Sequence, residues 1–116
     1  MFKQILSSKI HGATVTDAKI DYVGSISIDA DLLKEANIVP YEKVLIANLT
    51  NGSRIESYAI EGRSGSGEIC LNGGAAKHGK PGDTVIIMTF AAMTEDEIRS
   101  HIPKVVKVDK KNKIIP

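Results

Sequence analysis

The sequence has 116 residues, with 15 Lys and Arg against 14 Asp and Glu, so its formal net charge at pH 7 is +1. This balance provides no overall field for attracting a polyanion, and 4% aromatic residues without Trp offer few platforms for stacking nucleic-acid bases. With 42% apolar and 25% charged residues, the composition is that of a soluble globular protein, and the length predicts a single domain over 1–116.

The first part of the chain is predicted to form strands followed by a short helix. Residues 9–29 (KIHGATVTDAKIDYVGSISID) are rich in β-branched side chains and partly alternate, which predicts one or two strands. The last of these strands is expected to include Tyr22–Asp29. The segment DADLLKEAN then predicts a helix that begins with Asp29 or Asp31 as its N-cap and ends at Asn37.

A β-hairpin is predicted next. EKVLIANL and RIESYAIE are strand-like segments, and the intervening TNGS provides Asn51 and Gly52, a pair that supplies the positive φ angles of a tight turn. On the returning strand, side chains should alternate between two faces. One face would carry Ile55, Ser57 and Ala59, and the other Arg54, Glu56, Tyr58 and Ile60.

The second half of the chain continues the pattern of short strands. GRSGSG predicts a loop, EICLN a strand, and GGAAKHGKPGD a long turn. TVIIMTFAAM predicts a continuous strand that is buried on both sides or curved around a barrel. Thr94 and Glu97 form a capping-box pattern for a short helix that Pro103 ends, KVVKVD predicts a last strand, and KKNKIIP a solvated, partly loose tail. Together these elements predict a mainly-β fold, a small β-barrel with two short helices.

Cysteine and histidine usage argues against disulfides and metal sites. The single cysteine, Cys70, excludes an intrachain disulfide and lies in an apolar strand-like run, as a small buried side chain does. His11, His78 and His101 are scattered and show no metal-ligand spacing. The first ten residues lack the apolar core of a signal peptide, and the longest apolar run is about half the length of a membrane span. We therefore expect a cytoplasmic protein with no metal and no membrane partner.

The Gly24–Ser25 step is the candidate chemical site. Of three Gly-Ser pairs, at 24–25, 52–53 and 65–66, only the first lies between apolar strand segments. A β-bulge or a close backbone approach would explain this glycine structurally. Alternatively, the Ser25 hydroxyl attacks the carbonyl of Gly24, a bend that a residue without Cβ tolerates. Ester formation, elimination and hydrolysis would then cut the chain and leave a pyruvoyl ketone that can form a Schiff base with an amine.

Three segments, KIHGATVTDAKIDYVGSISID, TNGSRIESYAI and NGGAA…PGD, occur in the order and spacing of the pyruvoyl-dependent aspartate 1-decarboxylase family. The sequence resembles this family from Lys9 to the VVKVD segment. The resemblance implies a double-psi β-barrel, a homotetramer, and a zymogen that cleaves itself into 1–24 (the β chain) and 25–116 (the α chain). It also implies a lyase that decarboxylates L-aspartate to β-alanine and CO2 through a Schiff base, for pantothenate and coenzyme A biosynthesis.

The resemblance assigns roles to matching positions. Gly24 and Ser25 match the cleavage site, and Ser25 would become the pyruvoyl group, so that no metal and no pyridoxal phosphate (PLP) is required. Tyr58 matches the catalytic proton donor, and a phenol carries its proton at neutral pH. Arg54 and Lys9 are expected to bind the two carboxylates of aspartate, because guanidinium and ammonium groups pair with carboxylates.

Further substrate-binding positions lie on the returning strand and in the following glycine-rich segment. Ser57 matches a position that is Thr in many members, and it keeps the hydroxyl without the methyl group that stiffens the rotamer. Ser57 and Tyr58 point to opposite faces of an ideal strand, so reaching one site requires a bulge, a twist, or roles on different sides of residue 25. Asn72 is expected to orient the pyruvoyl group or the substrate. In the glycine-rich loop, the N–H groups of Gly73, Gly74 and Ala75 would bind a carboxylate. His11 and Tyr22 are two further positions that match the family.

Two other functions stay open at the level of sequence. GSISIDADLLKEANIVPYEKVLI also resembles a swapped-hairpin transcription factor of the AbrB kind, but its Lys34 and Lys43 are outnumbered by four acidic residues, which disfavours phosphate binding. The second alternative is an unprocessed barrel that binds aspartate without converting it. The expected partners are L-aspartate and further copies of the chain, with no nucleic acid.

Overall fold

The computed structural model describes residues 1–116 as nine strands, two short α-helices and one 3-10 helix. It confirms the predicted mainly-β class of a small barrel with short helices. None of the helices has the length and apolar character needed to cross a membrane. The strands are β1 (Lys3–Thr14), β2 (Asp17–Lys19), β3 (Ser25–Asp29), β4 (Lys43–Asn48), β5 (Arg54–Gly62), β6 (Ile69–Asn72), β7 (Thr84–Met93), β8 (Lys104–Val108) and β9 (Ile114–Ile115); the helices are α1 (Ala30–Ala36), the 3-10 helix (Gly73–His78) and α2 (Glu95–Ser100).

The nine strands form one mixed sheet in the order β2-β6-β3-β5-β4-β7-β1-β8-β9. β3 is antiparallel to β6 on one side and parallel to β5 on the other. All five residues of β3 are buried. β6 pairs with β3 from Ser25 onward and β5 pairs with it from Ile26 onward, so the sheet fixes the position of the residue that follows Gly24.

A core of 19 buried apolar residues lies beneath the sheet and α1. Burial alternates along the first half of β7, where Val85 and Ile87 are fully buried and their neighbours are only half-buried. This alternation is typical of a strand with one face in the core. Of the two arrangements expected for this strand, burial on both sides is therefore wrong.

The segment before β3 differs from the predicted strand. β3 begins at Ser25, and the residues from Asp21 to Gly24 form a turn and a bend instead. Gly24 has no positive φ, and a Cβ added to it would meet nothing within 4 Å. Neither the local backbone conformation nor the space around position 24 therefore requires a glycine in the unbroken chain.

Both α-helices carry the predicted caps. Asp29 is the N-cap of α1, and Asn37 ends that helix in the left-handed conformation with a φ of 56°. The Thr94 hydroxyl accepts the backbone N–H of Glu97, and the Glu97 carboxylate accepts the N–H of Thr94, which completes the capping box of α2. The sequence signals at these ends were sufficient because capping depends on neighbours within one turn.

Asp29 also anchors the loop that follows β5. Its carboxylate accepts the backbone N–H groups of Asp31 at 2.9 Å, Gly65 at 3.0 Å and Gly67 at 2.8 Å. Burial acts to raise the pKa of the Asp29 carboxyl, but these three donors and the charge of Lys113 outweigh it and hold the pKa below its ordinary value. The C-terminal end of β3 is thus tied to both α1 and the loop.

Two predictions about loops need correction. In the hairpin turn between β4 and β5, Gly52 has a φ of +81° but Asn51 does not have a positive φ. The C-terminal tail is not loose, because β9 pairs with β8 and Asn112 is buried. The Asn112 side chain accepts the N–H of Thr14 and donates to the carbonyls of Thr14 and Gly67.

Candidate active site

Four polar side chains form a compact group on one face of the β3–β6 pair. The antiparallel register sets Ser25 opposite Asn72 and Ser27 opposite Cys70. Residues two apart on a strand share a face, so the four side chains point the same way. All four are buried, with exposed fractions between 0% and 7%.

The Asn72 side chain links the members of this group. Its Nδ2 donates to Ser25 Oγ at 3.0 Å and to Ser27 Oγ at 2.9 Å, and its Oδ1 accepts from the Cys70 thiol at 3.2 Å. The Ser25 hydroxyl itself donates to the backbone carbonyl of Val23 at 3.2 Å. Ser25 Oγ is therefore held between an N–H donor and a carbonyl acceptor.

Gly73 allows the end of β6 to approach the Gly24 segment closely. Its φ is +63°, in the left-handed region that favours glycine. A Cβ added to Gly73 would lie 2.7 Å from Gly24 Cα, Gly24 N and the carbonyl oxygen of Tyr22. The close backbone approach expected at Gly24 is thus present, but the glycine that it requires is Gly73.

Two clefts border the Gly24–Ser25 step. The larger has a volume of about 640 Å³ and is lined by Gly24, Ile55, Glu56, Ser57, Tyr58, Gly74, Ala75 and His78. The smaller, of about 420 Å³, is lined by Asp21, Tyr22, Val23, Ser25, Tyr41, Tyr58 and Ile60. Tyr58 lines both clefts, the larger of which is also lined by Gly24 and the smaller by Ser25.

The two clefts bear on how Ser57 and Tyr58 can act together. Four consecutive residues of β5, from Ile55 to Tyr58, line the larger cleft. The cleft therefore runs along the strand and is lined by residues from both of its faces. Only Tyr58 of these four also lines the smaller cleft. The structure therefore brings both residues to the Gly24–Ser25 step without a bulge in β5, whose pairing with β4 runs without a register shift.

Several of the predicted site residues lie together, and others do not. Gly24, Ser25, Ser57, Tyr58, Asn72, Gly73, Gly74 and Ala75 all lie along the β3–β6 pair or the adjoining clefts, as does Tyr22. Lys9 and Arg54 line neither cleft. Lys9 lies on β1, opposite Met88, and exposed Arg54 begins β5. His11, also on β1, is likewise absent from both clefts.

Among the residues at the site for which the sequence predicted no role are Ser27, Cys70 and His78. Ser27 and Cys70 contact Asn72 directly, and His78 lines the larger cleft. The expected turn after Asn72 is a 3-10 helix, and the carbonyl of its last residue, His78, accepts hydrogen bonds from three side chains. Those donors are Asn48, Asn51 and Ser53. Period-two spacing from Ser25 and Asn72 could have indicated Ser27 and Cys70.

Comparison of the whole chain with known families identifies the family. Residues 1–115 match the family model described as aspartate decarboxylase. The chain belongs to the aspartate decarboxylase family. The predicted family, and the prediction that the protein is an enzyme, are confirmed.

Curated relatives from three bacteria give the same result. A protein of Dehalococcoides mccartyi is 54% identical over 110 residues, which cover 95% of this chain and 89% of the relative. A protein of Myxococcus xanthus is 53% identical over 116 residues, covering 100% and 89%. One from Neisseria meningitidis is 55% identical over 114 residues, covering 98% and 90%. Each of these relatives bears the name aspartate 1-decarboxylase.

Proposed function

We propose that the protein is a pyruvoyl-dependent aspartate 1-decarboxylase, which converts L-aspartate to β-alanine and CO2 and thereby supplies pantothenate biosynthesis in the cytoplasm. Membership of the aspartate decarboxylase family supports the reaction. The observation that carries the mechanism is Ser25 itself, which is 2% exposed, follows a glycine, and has its Oγ fixed between Asn72 and the Val23 carbonyl.

The proposed maturation uses only groups of this chain and one water molecule. Ser25 Oγ forms a bond to the carbonyl carbon of Gly24, the Gly24–Ser25 C–N bond breaks, and the hydroxyl proton passes to the released nitrogen. Elimination then removes the proton from Cα of residue 25 and breaks the Cβ–O bond, which leaves the carboxylate on Gly24, released as its acid once it takes up that proton, and dehydroalanine at position 25. Hydrolysis by water releases ammonia and leaves the pyruvoyl group at the start of 25–116. The products are the fragments 1–24 and 25–116.

The surroundings of position 25 fit a ketone. Asn72 Nδ2 lies 3.0 Å from Ser25 Oγ, and an N–H at this position suits a carbonyl oxygen as well as a hydroxyl oxygen. The pyruvoyl group would supply a carbonyl that binds the substrate amine and accepts the electron pair released when CO2 departs. The titratable side chains of the clefts would then need only to bind and protonate the substrate.

Tyr58 is the proposed proton donor. It lines both the cleft that Gly24 borders and the cleft that Ser25 borders, and a phenol there can serve as a general acid. The segment from Gly73 to Ala75 opens the 3-10 helix, and Gly74 and Ala75 line the larger cleft. Their backbone N–H groups are proposed to bind a substrate carboxylate, and Ser57, which lines the same cleft, is proposed to contribute its hydroxyl.

Arg54 and Lys9 are proposed to act in a neighbouring copy. Neither residue lines a cleft of its own chain, yet aspartate brings two carboxylates that need cations. A homotetramer would supply them, and the exposed apolar side chains support association of copies, among them Phe2, Phe90 and Ile102.

Co-expression of two inactive variants tests this arrangement. Chains carrying Ser25→Ala and chains carrying Arg54→Ala are each expected to be inactive, whereas mixed oligomers regain decarboxylation because one chain provides position 25 and its neighbour provides the guanidinium. Activity is measured as β-alanine formed. The control contains the same two variants, expressed separately and mixed afterwards. If the mixed oligomers stay inactive, Arg54 acts within its own chain.

The maturation proposal is tested by intact mass and denaturing electrophoresis of the active protein. Two fragments are expected, and the larger should be lighter by one ammonia than a chain that begins with serine. A single uncut band without aspartate turnover would favour the alternative of a barrel that only binds aspartate. A single uncut band with full turnover and an ordinary serine at position 25 would overturn the proposed mechanism.

A further inference from the structure

The orientation of the Asn72 carboxamide determines whether Ser25 Oγ faces a hydrogen-bond donor or an acceptor. An amide presents an oxygen acceptor on one side and an NH2 donor on the other. The hydroxyls of Ser25 and Ser27 can donate or accept, so both would tolerate either orientation of the amide. The only remaining side-chain partner of Asn72 is Cys70, whose Sγ lies 3.2 Å from Asn72 Oδ1.

Cys70 is the partner that distinguishes the two orientations. A thiol is a donor that accepts hydrogen bonds only weakly, so it pairs better with the amide oxygen than with the NH2 group. Burial raises the pKa of the Cys70 thiol, which is 1% exposed, and this keeps the proton on sulfur. Asn72 Oδ1 therefore faces Cys70, and Asn72 Nδ2 faces the two serines.

Ser27 holds the second N–H of the amide. Its Oγ accepts from Asn72 Nδ2 at 2.9 Å, while Ser25 Oγ accepts the other N–H at 3.0 Å. With both N–H groups and the oxygen occupied, the carboxamide has no unpaired group that would favour rotation. Because Ser25 Oγ already accepts an N–H, its own proton is directed to the Val23 carbonyl.

We propose that Cys70 and Ser27 are positioning residues which, acting through Asn72, aim an N–H at Ser25 Oγ and thereby set the rate of Gly24–Ser25 cleavage. The inference rests on the proposed function, since it concerns the same self-cleavage. As Oγ loses its proton and attacks the Gly24 carbonyl carbon, the aimed N–H stabilises the negative charge on oxygen. The bonds formed and broken are those of the maturation already given, and no further reactant is needed.

The test follows cleavage with time in chains made by cell-free synthesis, which start uncut. Cys70→Ala removes the donor to Asn72 Oδ1 and is expected to slow cleavage about tenfold, the effect of one hydrogen bond of roughly 1.4 kcal/mol. Cys70→Ser keeps a donor of similar size and should restore the rate to within about threefold of the original chain. Ser27→Ala provides a second variant, also expected to slow cleavage, that leaves Cys70 untouched.

A double-mutant cycle separates positioning from packing. If Cys70 acts through Asn72, Cys70→Ala should cause no further slowing in a chain that already carries Asn72→Ala. Additive slowing would overturn the proposal, as would equal cleavage rates for the original chain, Cys70→Ala and Ser27→Ala. In both cases cleavage of the original chain leaves the proposed function standing. If the original chain is not cleaved at all, the proposed function fails and this inference fails with it.

Discussion

Ser25→Ala is expected to leave a single uncut chain of 116 residues that forms no β-alanine from aspartate. The substitution removes the oxygen that would attack Gly24, and it also removes the atoms from which the ketone would be made. Without that ketone the protein loses its rate acceleration, which for enzymes is about a millionfold or more. Denaturing electrophoresis, intact mass and a β-alanine assay on the same preparation measure both effects.

Tyr58→Phe is the matched comparison for this prediction. It removes one hydroxyl from the clefts but leaves Ser25, Asn72 and Val23 as they are. The chain should therefore be cut into the two fragments, while its turnover falls because the proposed proton donor is absent. Two fragments from Ser25→Ala would contradict the assignment of the nucleophile, and an active uncut Ser25→Ala chain would contradict the ketone.

The parts of the fold that sequence predicted well are those governed by near neighbours. The cap of α1 at Asp29, its end at Asn37 and the capping box of α2 each depend on residues within one turn. The anchoring of the tail was not predicted because Asn112 bonds Thr14, which is 98 residues away along the chain. No local pattern reports a partner at that separation.

The candidate site was likewise predicted only in part from the sequence. The nucleophile, the cleavage position and Tyr58 follow from the resemblance to a family. The contact of Asn72 with Cys70 lies within β6 and follows from period-two spacing, but the contact of Asn72 with Ser27 could not be predicted, because it depends on the register between β3 and β6. A shift of one residue in that pairing would turn the side chains of one strand to the other face.

The sequence alone could not show which glycine the fold requires at the cleavage step. Sequence drew attention to Gly24, yet the structure leaves open space where its Cβ would be. If glycine is required at position 24, the requirement must arise as the peptide bends toward Ser25 Oγ during attack rather than in the unbroken chain. The position beside the cleavage step that has no room for a side chain is Gly73, the residue that follows β6.

Gly73→Ala is therefore expected to impair both folding and self-cleavage. Its Cβ would lie 2.7 Å from Gly24 Cα, Gly24 N and the Tyr22 carbonyl oxygen, all backbone atoms that cannot rotate away. Left-handed φ and overpacking together should lower the free energy of unfolding by about 2 to 5 kcal/mol. Denaturant unfolding in a Ser25→Ala background measures this loss on uncut chains, and cleavage in the Ser25 chain should slow at least about tenfold.

Gly74→Ala provides the control one residue further along the same helix. A Cβ at Gly74 meets nothing within 4 Å, and Gly74 has no positive φ, so folding and cleavage should proceed as in the original chain. If Gly73→Ala were as stable as Gly74→Ala and were cut as quickly, the close approach of Gly73 to Gly24 would not constrain the cleavage site. If instead only Gly73→Ala slows cleavage, the backbone of the 3-10 helix holds the Gly24 carbonyl in reach of Ser25 Oγ. The cleavage rate then depends on the close contact between Gly73 and Gly24.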